Sequence, residues 1–278
     1  MNRAALSIAR LYILFALRNP VVFVAMGGAI IYAAFETMNG LAALREIQLT
    51  CLEAVYLIQE NALFHTYGLF VPFLVLISPL LSSKDLERIV AFRASRRTDL
   101  WVAKVLAIAV LAVFFLAVPF LLILIAASLH HSPALMWSEA FLQLAESSDG
   151  SVTGIFAHPA FPSAVLFLIQ AHRPWSVLVL QGLLFLVSFV LSGMLGAVLA
   201  DLLRRPALAL MLVVVFWVSA LVPPGTFPFI VSFLSPETHL LLVNRSLFNY
   251  LVSFQYLVPA SVLVFLLGQR LITRAVLG

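Results

Sequence analysis

The chain has 278 residues, of which 63% are hydrophobic and only 10% charged, with a formal net charge of +4. Its mean hydropathy is +1.11. Soluble domains are about half apolar and about a quarter charged, so too little polar surface remains here to face water on all sides, and the natural solvent is lipid. Cys51 is the only cysteine, which excludes an intrachain disulfide and any metal site built from several thiolates.

The composition predicts an all-α integral membrane protein, a single transmembrane domain over residues 1–278. Residues 1–19 read as an interfacial helix. Arg3, Arg10 and Arg18 recur at spacings of seven and eight, and Leu6, Ile13, Leu14 and Leu17 form an apolar stripe. Such a helix lies along a leaflet before the chain turns inward at Asn19-Pro20. No small-x-small cleavage site follows the early apolar run, so the segment is expected to be retained.

A span needs roughly 20 apolar residues. Six stretches qualify, running from about Pro20 to Phe35, Ala62 to Leu81, Val102 to Leu129, Trp175 to Ala200, Pro206 to Val222 and Phe248 to Gly268. With the N-terminus in the cytoplasm, thirteen of the sixteen Lys and Arg residues fall inside, leaving only Arg45, Arg173 and Arg245 outside. Both termini are therefore expected in the cytoplasm of a plasma (bacterial inner) membrane. The basic bias is a topology signal and requires no nucleic acid. Two outer segments stand apart. Residues 130–174 form a long outer loop with an apolar stretch, Phe161 to Ile169. Residues 223–244 are apolar yet broken by Pro223, Pro224, Pro228 and Pro236. They read as a re-entrant segment before the last span, because irregular backbone in a membrane must be covered by protein or water. The other reading of that segment is a surface loop.

The chain has no catalytic or nucleotide-binding motif. Neither Lys84 nor Lys104 follows a glycine, so there is no P-loop, and no H-E-x-x-H occurs. All six histidines (His65, His130, His131, His158, His172 and His239) are assigned to the outer side, the loop histidines as solvated groups. The spans are almost free of ionisable residues, which argues against a proton-coupled carrier. Lys104 is expected to snorkel from the inner end of the third span. Gly193, Gly196, Ala197 and Ala200 read as small-residue helix packing.

The most informative segment is the cytoplasmic loop at 82–101. Lys84, Asp85, Glu87 and Arg88 cluster charge, Ile89, Val90 and Phe92 offer apolar contacts, and Ser95-Arg96-Arg97-Thr98-Asp99 reads as a turn and helix cap. An interfacial N-terminal helix, six spans and a loop with Asp85 and Glu87, then Ser95-Arg96-Arg97, then Ala103-Lys104, resemble the permease subunits of type-2 ATP-binding-cassette (ABC) exporters. The resemblance implies that this loop couples to separate ATPase subunits, with Lys84, Asp85, Glu87, Arg88, Phe92, Arg96 and Arg97 as the docking residues. It also implies that a second permease copy or a related permease completes the pathway. ATP and Mg would reside in the partner ATPase, with no cofactor, metal or catalytic residue in this chain. Two other readings stay open: a membrane-embedded enzyme using the outer histidines with Glu139, Glu146 or Asp149, and a passive channel or scaffold subunit.

Overall fold

The computed structural model describes residues 3–43, 48–59, 63–82, 90, 94, 96–146, 172–219, 234–240 and 250–274. Among them there is no strand, only an isolated bridge between Thr50 and Ser132. The helices in chain order are α1 (Arg3–Arg18), α2 (Pro20–Ala43), α3 (Cys51–Gln59), a π-helix (Phe64–Phe70) running into α4 (Val71–Ser82), α5 (Arg97–His130), α6 (Glu139–Glu146), α7 (Pro174–Leu203) and α8 (Pro206–Val218). A 3₁₀ turn (Pro236–His239) and α9 (Tyr250–Arg274) complete the series.

Among the described residues five helical stretches are long and apolar enough to cross a bilayer: Pro20–Ala42, Phe64–Leu81, Thr98–His130, Pro174–Leu203 and Tyr250–Ile272. Four match expected spans within a few residues at most ends. The first runs well past Phe35, through Asn39-Gly40, where Gly40 lies against Ile58 with no room for a Cβ. The expected span from Pro206 to Val222 is different. α8 has 13 residues, about 20 Å at 1.5 Å per residue, against a hydrocarbon core of about 30 Å. Its last turn is met by another segment, since Ser235 Oγ donates to the Trp217 carbonyl at 2.9 Å.

The α1–α2 break is local chemistry. Asn19 Oδ1 accepts from the Val21 N–H at 3.0 Å, and Pro20 takes the first helical position. α1 buries Ala5, Ile8, Ala9, Tyr12 and Ala16 and packs chiefly on α5 and α4. The expected leucine stripe lies on the opposite face. Leu6, Leu14 and Leu17 are exposed, so the helix has a small-residue face for protein and a leucine face left for lipid.

In lipid, helices associate through close packing and hydrogen bonds, because their apolar surface is already well solvated by lipid tails. Gly193 follows that rule: a Cβ there would stand 2.6 Å from Ile108 Cγ2. Ala197 and Ala200 are buried beside it. Phe70 and Trp217 stack with ring centres 3.8 Å apart, Phe189 meets Trp217 edge-on at 5.6 Å, and Phe73 joins Phe189 at 4.9 Å. This aromatic column locks the π-helix, α4, α7 and α8 together.

The two ends of the bundle are pinned differently. At the α5 start, the Trp101 indole donates to the Phe265 carbonyl at 2.9 Å and lies on Gly268, where a Cβ would meet the ring at 2.1 Å. At the other end, the Cys51 N–H donates to the Ser132 carbonyl at 2.9 Å and the Trp137 indole donates to the His172 carbonyl at 2.8 Å.

Candidate functional site

The sequence drew attention to the loop at 82–101. Lys84, Asp85, Glu87, Arg88 and Phe92 lie outside the described residues, as does the side chain of Arg97, the first residue of α5. Arg96 is exposed. The expected cap is present: Asp99 Oδ2 accepts from the Arg96 N–H at 2.9 Å, a carboxylate in the first turn where the helix dipole favours it. Two expectations for this region are corrected. Val90 is fully buried in the core of its own chain and is not a free anchor for a partner. Lys104 is only 2% exposed, so it does not snorkel out.

The described residues converge instead on a buried polar cluster that joins the π-helix, the 3₁₀ turn, α7 and α9. It begins with a backbone defect. Val71 donates its N–H to the Thr66 carbonyl, five residues back. Pro72 has no N–H for the Gly68 carbonyl and would crowd it, and a widened turn just before it relieves that conflict. Gly68 itself has no room for a side chain, since a Cβ would meet Phe64 and Tyr32 at under 3 Å.

This turn carries His65 inward. Its Nδ1 lies 3.0 Å from Glu237 Oε1, and both side chains are fully buried. Its Nε2 faces the Gln59 carbonyl, and Phe185 presents a ring edge at 4.8 Å. Glu237 is delivered by the turn that starts at Pro236. Ser235 anchors the turn to α8, and the Gln181 amide on α7 donates to the Leu240 carbonyl at 2.8 Å. His239 Nδ1 lies 3.4 Å from Ser253 Oγ, and its ring stacks on Tyr256 at 4.6 Å. Tyr250 Oη reaches Gln181 Oε1 at 3.4 Å, while Tyr256 Oη donates to the Leu234 carbonyl. Glu237 Oε2, Thr66 Oγ1, Ser188 Oγ and Trp217 Nε1 are buried and find no hydrogen-bond partner among the described residues.

The outer-side reading of the histidines gives no sign of this cluster. His65, His239 and Glu237 are buried. The driving contact joins residues 172 positions apart, which no local pattern encodes. The available signal was a lone Glu and a lone His in an apolar, proline-marked stretch. His130 is exposed, and His131 and His172 are half-buried. His131 is held below the ordinary imidazole range by burial first and by neighbouring His130 second, against opposing pulls from the Leu49 backbone and Glu53. Burial likewise lowers His172. Among the described residues no group of three or more His, Cys, Asp or Glu is placed to hold a metal. His158, Asp149 and the Glu146 side chain lie outside them.

A second buried carboxylate closes the far end of the bundle. Glu53 Oε2 accepts from the Thr50 N–H at 2.7 Å, and Thr50 Oγ1 accepts from the Glu53 N–H at 3.3 Å, a capping box on α3. Glu53 also accepts from Ser138 N–H at 2.6 Å and from Ser138 Oγ–H at 2.7 Å. Ser138 Oγ in turn accepts from the Phe141 N–H at the start of α6. One carboxylate thus ties together the starts of two helices.

An apolar groove of about 550 Å³ opens between α5, α7 and α9, lined by Val113, Phe114, Leu186, Val190, Val258 and Ser261 among others. No family model, no curated protein and no solved structure matches the chain.

Proposed function

We propose that this chain is the transmembrane permease subunit of an ATP-driven exporter of the type-2 ABC kind. In this reading it forms the substrate pathway with a second copy or a related permease, in a bacterial inner membrane. Both termini are cytoplasmic, and α8 with the residues up to 222 completes a sixth crossing. Residues 223–244 then form a re-entrant segment ahead of α9. The loop at 82–101 docks on an ATPase subunit that holds ATP and Mg, and the charged residues from Lys84 to Arg97 make the contact.

The observation that carries the reading is the base of α5. α1 packs its small-residue face there, and the helix starts on a capped turn straight after the charged loop. Trp101 then fastens it to α9. Force applied at the loop meets an element already joined to the N-terminal helix and the last span, as coupling between two states requires. Arg3, Arg10 and Arg18 on α1, and Arg96, Arg204, Arg205 and Arg270 at or near helix ends expected on this side, are exposed, in keeping with the positive-inside rule. The groove between α5, α7 and α9 offers hydrocarbon-like walls to a lipid-like or hydrophobic cargo.

The test is a mild-detergent pull-down of the tagged chain, read for co-purifying proteins and ATP turnover. A stoichiometric ATPase partner is expected. Glu87→Lys or Arg97→Glu should lose it, because reversing a charge in a docking contact costs on the order of several kcal/mol. A chain that purifies alone, with no ATP turnover, removes the proposal.

A further inference from the structure

The hydrogen-bond chemistry around His65 fixes how many protons the buried pair holds. Nε2 of His65 faces the backbone carbonyl of Gln59. A carbonyl only accepts, so Nε2 carries a proton and donates it. Nδ1 lies 3.0 Å from Glu237 Oε1. If Nδ1 were bare and the carboxyl ionised, two lone pairs would oppose one another at hydrogen-bonding distance. The contact therefore contains one proton, held either as imidazolium donating to carboxylate or as carboxylic acid donating to imidazole. With that proton the pair is electrically neutral. Without it, a fully buried site would hold an ionised carboxylate against a bare ring nitrogen. Glu237 Oε2 sharpens the point, since it is buried with no partner among the described residues.

We propose that His65 and Glu237 form a proton-binding site inside the bundle, and that the bound proton latches the 236–239 turn to the π-helix. The ligand is one proton exchanged with water, and no other bond is made or broken. When the proton leaves, the contact turns from attractive to repulsive. The turn then keeps its ties to Trp217, Gln181, Ser253 and Tyr256.

Other titratable groups on the packed elements have their own engagements. α2 brings Tyr32 and Glu36, which bond each other. α3 brings Tyr56 and also Glu53, which is bound by Thr50 and Ser138. The turn brings His239, which faces Ser253, and α9 brings Tyr250 and Tyr256, which face Gln181 and Leu234. α4, α7 and α8 present apolar, amide or indole groups at this level, including Phe70, Gln181, Phe185 and Trp217. The inference stands independently of the exporter reading.

The discriminating variant is Glu237→Gln. Its amide donates an N–H to Nδ1 that does not titrate, so the latch should hold at every pH. A cysteine replacing half-buried Thr238 in a Cys51→Ser chain, reconstituted in lipid, is labelled with a membrane-impermeant thiol reagent from about pH 6 to about pH 10. The rate is divided by that of the same chain carrying Glu237→Gln, which cancels the thiol's own ionisation. The ratio should be flat at low pH and then climb by up to about tenfold per pH unit once the proton dissociates. A ratio flat throughout overturns the proposal. Solid-state ¹⁵N spectra of histidine-labelled chain provide a second readout, with His65 identified by its loss in His65→Gln. A protonated Nε2 with a hydrogen-bonded Nδ1 is expected, and a bare Nε2 overturns the proposal even if the cysteine chain does not fold.

Discussion

Two carboxylates, Glu53 and Glu237, are both fully buried, yet their surroundings differ. Glu53 accepts three hydrogen bonds, spread over both oxygens, from two helix starts. Glu237 has one oxygen against His65 and the other without a partner among the described residues. A buried charge surrounded by fixed donors is a fastener, since nothing about it needs to change. A buried carboxyl that depends on one ionisable neighbour has its stability tied to that neighbour's proton. The contrast separates construction from function within one chain, where burial alone would class the two together.

The largest test is His65→Ala. It leaves Glu237 buried without its imidazole, and removing one partner of such a pair costs about 3–5 kcal/mol. The melting temperature of the detergent-solubilised chain should fall by about 10 °C. Replacing both residues by leucine should recover most of that loss. If His65→Ala melts like the parent chain, the two carboxylates are not different in kind.

Glu53→Ala comes next. It removes the carboxylate that holds the capping residues Thr50 and Ser138, and with it three charge-assisted bonds, for a total of about 2–3 kcal/mol. The loss should appear as faster proteolysis between α5 and α7 as well as a lower Tm. Unlike His65→Ala, it should not be rescued by a second apolar replacement at Ser138. A rescue there would make Glu53 a paired charge like Glu237.

The smallest effect lies beside Glu53, at His131 and His172. Both are held below the ordinary imidazole range, so the unfolded chain takes up protons before the folded one does. Their contribution is complete above that range and is lost as pH falls through it. Because both groups are only half-buried, the Tm should drop by only about 1–2 °C between neutral pH and about pH 5. His131→Gln should flatten part of that slope. A larger drop would mean that Glu53's network is also acid-labile.

The sequence disclosed what depends on short spacing. Four of the long apolar helices, the break at Asn19-Pro20, the cap at Arg96–Asp99 and the tight packing at Gly193 all follow from neighbours within a turn or two. It misassigned what depends on distant partners. Glu237 reads as an outer-loop residue because its own neighbours are prolines and apolar groups, and its burial is decided by His65 far up the chain. Lys104 reads as a snorkelling group until its surroundings are known. The leucine stripe of α1 reads as a membrane-facing surface, while the opposite small-residue face of Ala5, Ala9 and Ala16, which packs on α5, goes unread.

The Trp101–Gly268 contact constrains how the bundle moves. With the indole seated where α9 has no side chain, and its N–H held by the Phe265 carbonyl, α9 cannot roll about its axis at this level without ejecting a tryptophan. Nor can the foot of α5 slide along it by a turn without meeting side chains where Gly268 now leaves a gap. The first and last parts of this joint lie more than 160 residues apart in the chain, yet mechanically they behave as a single strut. A displacement at the foot of α5 has a direct route to α9 through this joint.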